Sequence, residues 1–155
     1  MLRSTMERGD IHFSGLGGSN EIRRIGSDTA TGDVTFTGGG ASNFITSRVL
    51  TGDIVFRGGG ANNRVTRWRA GTDTRGDVDF AGAGGKNTVL SWVDHGDIRF
   101  DGVGLGNDVR RASNAAESSG DVVFRGGGGA NVVRNEVTTG DIDFTGVGAA
   151  NIITR

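Results

Sequence analysis

The chain contains no cysteine, no proline and no tyrosine. Without cysteine there can be no disulfide framework, no thiolate metal site and no thiol nucleophile, although a cysteine-free chain fits both exported and cytosolic proteins. Bulk charge is nearly absent as well. The net charge is −1, which gives no electrostatic reason to expect nucleic acid or an acidic membrane as partner. No apolar run approaches the length of a membrane span. The opening "MLRSTMERGD" has no apolar signal core. Hydrophobic residues are scarce at 34%, against about 45–50% in ordinary globular domains. That shortage would suit a disordered chain, but the residues that are present are too regularly placed for disorder.

The regularity is a repeat. Gly-Asp-(Ile/Val)-x-Phe-x-Gly starts at Gly9, Gly32, Gly52, Gly76, Gly96, Gly120 and Gly140, at intervals of 23, 20, 24, 20, 24 and 20 residues. Short and long units therefore alternate. Eleven residues after each Gly stands an asparagine: Asn20, Asn43, Asn63, Asn87, Asn107, Asn131 and Asn151. Two residues further comes Ile or Val in every unit. A register held through seven copies makes the repeat the determinant of the fold.

Within a unit the hydrophobic period is two. Val34 and Phe36 alternate with Thr35 and Thr37, while Ile45, Ser47 and Val49 share one face of the following segment. Period two means strands with one buried face. Each unit thus holds two short strands joined by a Gly-rich turn such as "GAGGK" at 82–86. A unit this small cannot bury its apolar face alone, so like strands must stack on like. The expected fold is all-β, a β-solenoid with one coil per unit and roughly 34 Å of rod from strands spaced about 4.8 Å apart. Phe13, Phe36, Phe56, Phe80, Phe100, Phe124 and Phe144 would form one internal column. The extra residues of the long units, at 26–31, 70–75 and 113–119, are polar and would project from one side of alternate coils. Residues 1–155 are expected to be a single repeat domain excised from a longer array. The segment before Gly9 resembles the end of a previous unit, and no amphipathic cap is apparent at either end. Flanking repeats, or end-to-end self-association, would then cover the open edges.

Three columns could carry chemistry. The asparagines could hydrogen-bond along the rod as an amide ladder, as stacked asparagines do in cross-β structures. The aspartates Asp10, Asp33, Asp53, Asp77, Asp97, Asp121 and Asp141 would stack one coil apart, where like charges repel. Either backbone N–H groups cap them or divalent cations lie between them, so this column is the candidate for calcium. Arg24, Arg67 and Arg111 each lie four residues past an asparagine and would make an exposed basic stripe, with Arg23, Arg64, Arg69 and Arg110 nearby. Trp68 and Trp92 fall close to it, a combination suited to lipid head groups or glycans.

Catalysis finds little support. His12 and His95 occupy non-equivalent positions, and Gly-x-Ser-x-Gly is absent. The acids repeat with the fold, whereas an enzyme built on a solenoid needs an irregular cluster. The Gly runs are not followed by Gly-Lys-Ser/Thr, which excludes a phosphate loop. No ordered threonine rows suggest an ice-binding face.

Two resemblances emerge. "GGGASNFIT" at 38–46 looks like the calcium-binding nonapeptide G-G-x-G-x-D-x-U-x of repeat toxins, but Ala41 and Asn43 replace its fourth-position Gly and its sixth-position Asp. The loss of that charge weakens the calcium reading. The longer stretch "GDVTFTGGGASNFITSRVLTGDIVFRGGGANNRVTR" resembles the glycine-rich N-terminal repeats of MARTX toxins, the multifunctional autoprocessing repeats-in-toxin proteins of Gram-negative bacteria. The likeness runs over residues 9–155. It implies a non-enzymatic element of a large secreted toxin, exported by a type I system. That element would act at the host membrane or a surface receptor there, in pore formation and in translocating effector domains. The alternatives are a calcium-dependent folding module and an adhesin-like solenoid that binds glycan or protein.

Overall fold

The computed structural model describes residues 1–155 and is an all-β solenoid without helices. The first wall is made of β2 (Ile11–Leu16), β4 (Val34–Gly39), the leading halves of β6 (Ile54–Trp68) and β7 (Val78–Trp92), then β8 (Ile98–Phe100), β10 (Val122–Phe124) and β12 (Ile142–Phe144). The second wall comprises β1 (Leu2–Ser4), β3 (Ser19–Ile25), β5 (Ser42–Arg48), the trailing halves of β6 and β7, β9 (Val103–Ala112), β11 (Gly127–Glu136) and β13 (Val147–Thr154). Every pairing is parallel, each strand lying against its copy in the next coil. Phe56 sits opposite Phe80, Asn63 opposite Asn87, and Val65 opposite Val89. In β6 and β7 the Gly-rich segment does not interrupt the strand, and Gly58 to Gly60 pair with Gly82 to Gly84.

A third parallel column, not foreseen in the sequence, closes each coil. Arg8, Thr31, Thr51, Arg75, His95, Ser119 and Thr139 form successive single bridges immediately before each Gly-Asp. One residue per coil leaves no room for hydrophobic alternation, so a period-two search does not register it.

The core is thin. Its buried members are the Ile/Val that follows each Gly-Asp, the Phe two residues on, and the Ile/Val of the second wall, except in the last coil, where Ile142 is partly buried and Ile153 exposed. Phe36, Phe56, Phe80, Phe100 and Phe124 are fully enclosed, while Phe13 and Phe144, at the two ends of the column, are partly buried. Adjacent rings stack with centroids 4.7 to 5.4 Å apart and planes within 10°. Isolated aromatic pairs favour offset or edge-to-face contact; here the ladder spacing of the strands holds the rings parallel.

Glycine makes that spacing feasible. A Cβ on Gly82, two residues after Phe80, would lie 2.6 Å from the Phe56 ring and 2.7 Å from the carbonyl oxygen of Gly58. At the Gly-Asp corner, Gly76 has φ of 151° and a Cβ there would meet the Gly52 carbonyl oxygen at 2.0 Å. Both positions exclude any side chain.

Candidate functional site

The asparagine column is a continuous amide ladder. Nδ2 of Asn20, Asn43, Asn63, Asn87, Asn107 and Asn131 each donates to Oδ1 of the next asparagine, at 2.7 to 2.9 Å. The second Nδ2 proton goes to a carbonyl of the Gly-rich turn one coil on, for instance Asn87 to Val103 at 3.1 Å. All six links run in one direction, so each amide polarises the next. Both protons of Nδ2 and the acceptor are used, which only an amide can supply.

The aspartate column is satisfied by backbone. Oδ1 of Asp10, Asp33, Asp53, Asp77, Asp97 and Asp121 accepts the N–H of the aspartate one coil further on, at 2.8 to 2.9 Å. Oδ1 of Asp141 receives Arg155 Nη1 at 3.1 Å. No set of three or more His, Asp or Glu side chains converges as a metal cage. Burial raises the Asp53 carboxyl above its usual range; the Asp77 N–H offsets part of this, and the charges of Asp77 and Asp33 add to the rise.

The arginine column corrects the sequence reading. Arg24, Arg67 and Arg111 are not an exposed stripe: all three are 0% accessible. The reason is parity. Four residues past the asparagine is an even step along a strand, so these side chains share the inward face of the asparagine and the Ile/Val. Ser47, Ser91 and Asn135 hold the same position in the short coils and are buried too. Each guanidinium ties a long coil to the short coil before it. Arg67 Nη2 donates to the carbonyls of Val49 at 2.8 Å and Arg75 at 2.9 Å, and its Nε donates to Gly52 at 2.8 Å. Arg111 repeats this with Val93 at 2.7 Å, Ser119 at 2.9 Å and Gly96 at 2.6 Å. Arg24 reaches the equivalent carbonyls of Met6 and Thr31. Desolvation lowers the pKa of Arg67 and of Arg111 to about 10, against the pull of nearby aspartates, so both stay charged at neutral pH. The guanidinium supplies donors to carbonyls at the coil corners, those of Arg75 and Ser119 also accepting the N–H of Gly52 and Gly96.

The insertions do not simply project. Ala30, Thr74 and Ser118 turn back into the interior. Buried Asp94 fastens two loops at once: its carboxylate accepts from the Thr74 N–H at 3.0 Å and the Ser113 hydroxyl at 2.9 Å, and pairs with Arg69 at 3.2 Å. Beside it, His95 lies 3.3 Å from Asp73 Oδ1 through Nε2 and 2.9 Å from the Ser119 hydroxyl through Nδ1. The sequence reading missed this Asp–His–Ser contact because its three residues come from separate coils. The N–H groups of Ser119, Gly120 and Asp121 are already given to Asp94, Thr139 and Asp97.

What faces outward from the second wall is the remaining basic and aromatic surface. The odd steps along the strands place Arg23, Phe44, Arg64, Trp68, Trp92 and Arg110 there. Trp68 and Trp92 stack with centroids 6.1 Å apart, and the Arg110 guanidinium covers the Trp92 ring at 4.8 Å. Arg23 pairs with Glu21 and Arg110 with Glu136. Of the arginines first considered for a basic stripe, those that remain at the surface are Arg23, Arg64, Arg69 and Arg110.

No protein-family model, curated protein or solved structure matches this chain.

Proposed function

We propose that the chain is a non-enzymatic repeat module of a large secreted toxin, a rigid element through which the parent molecule associates with a host membrane and delivers effector domains. The reading starts from the MARTX-like repeat pattern over residues 9–155. The observation that carries the non-enzymatic part is the fate of the polar columns. Each aspartate, asparagine and buried arginine that recurs with the repeat is spent on holding one coil to the next. Such a scaffold extends by adding coils, as a spacer or conduit must.

No helix is long and apolar enough to cross a membrane, so the module would work through its lateral surface or through assembly of many coils. Co-sedimentation of the native repeat array with phosphatidylserine-containing vesicles, with and without residues 1–155, tests this. Loss of vesicle binding on deletion is expected. Equal binding by the deleted array would overturn it.

A further inference from the structure

We infer that the outward face of the second wall holds a binding site for an acidic sugar unit of a cell-surface glycan, centred on Phe44, Arg64 and Trp68. These residues border an open groove of about 440 Å³, within the range of small-ligand sites. Thr46 and Thr66 lie between the larger side chains and make its floor, and the Arg23–Glu21 ion pair stands at one end, so that Arg64 is the one cation of the lining without a carboxylate partner. The two aromatic walls come from neighbouring coils and are both substantially exposed, Phe44 at 43% and Trp68 at 41%.

The chemistry of the walls selects the ligand. Trp92 stacks on Trp68 from the following coil, while Phe44 and Thr46 belong to the preceding one. The groove runs along the strands from Phe44 and Arg64 to Trp68, with Arg48 the register neighbour of Trp68 in the preceding coil. An apolar face of a pyranose ring fits between such walls, with its hydroxyls toward the threonines. Arg64 has no hydrogen bond or ion pair to any protein group, in contrast to Arg23 and Arg110, and its fork is open for a carboxylate. Past Arg64, a second depression of about 220 Å³ runs to exposed Lys86 and half-buried Thr88. A glycan chain carrying a further negative charge would continue there.

The inference rests on the reading as a secreted module only for the source of the ligand. The test is a calorimetric titration of the 155-residue chain with 3′-sialyllactose, with lactose as the neutral counterpart and phosphatidylserine vesicles as a third arm. Saturable binding of sialyllactose and none of lactose is expected. Arg64→Gln, an exposed change, should weaken sialyllactose binding about tenfold or more. Arg57→Gln on the first wall should leave it unchanged. Equal binding of lactose, or undiminished binding by Arg64→Gln, would overturn the proposal. Binding to vesicles without sialyllactose would overturn it too and leave the toxin-module reading standing; sialyllactose binding without vesicle association would do the reverse.

Discussion

Asn63 donates through Nδ2 to Oδ1 of Asn87 at 2.9 Å, and Asn87 passes the same bond on to Asn107. The link shows why the sixth position of the nonapeptide-like stretch is an amide and not a carboxylate. Asn87→Asp would keep the acceptor for Asn63 but lose both donations, to Asn107 and to the Val103 carbonyl. It would also leave a buried charge facing two oxygens. The expected loss is about 3 kcal/mol or more in urea denaturation at pH 7. An unchanged midpoint would remove the ladder from the account of stability.

The phenylalanine column should respond at its centre. Phe80 stacks between Phe56 at 4.7 Å and Phe100 at 4.9 Å. Phe80→Ala opens a cavity that the strand ladder cannot collapse, at about 3–5 kcal/mol. A thermal melt that matches wild type would contradict its burial.

The two classes of arginine should separate cleanly. Arg67→Lys replaces a planar fork with a point charge that cannot serve the Gly52, Val49 and Arg75 carbonyls together. A loss of about 3 kcal/mol or more is expected. Arg64→Lys, three residues earlier and outside, should fall within about 0.5 kcal/mol of wild type. Similar losses for the two variants would contradict the inward and outward assignment.

Acidification gives a test with a defined sign. Asp53 has its pKa raised chiefly by burial, so the folded chain takes up that proton before the unfolded chain does. Ionised Asp53 therefore costs stability at neutral pH, and the cost fades as pH falls through the raised value toward the ordinary one. Asp53→Asn keeps an acceptor for the Asp77 N–H. It should melt no lower than wild type at pH 7 and gain less between pH 7 and pH 4. A larger acid gain in the variant would reverse the assignment.

Much of this was legible in the residues. The Gly-Asp spacing marks the coils, the position of Phe marks the core, and the fixed distance to Asn marks the second wall. Parity also contained the place of Arg67. Val65 and Arg67 lie two apart on one strand, so an inward Val65 entails an inward Arg67. Charge argued the other way, and a charged side chain is so rarely buried that its exposure was the expectation. The carbonyls that reverse this come from Val49 and Arg75, in other segments, and local sequence does not display them.

The sequence by itself determined the period, the two strands of each coil and which residues stack, because each depends only on spacing repeated along the chain. Tertiary structure decided what the stacked groups bond to. It gave the aspartates backbone N–H groups from the next coil, enclosed the arginines under the long loops, and brought Asp73, His95 and Ser119 together from three coils. Those outcomes depend on the directions of donors and acceptors after the corners close, and a one-dimensional register carries no such directions.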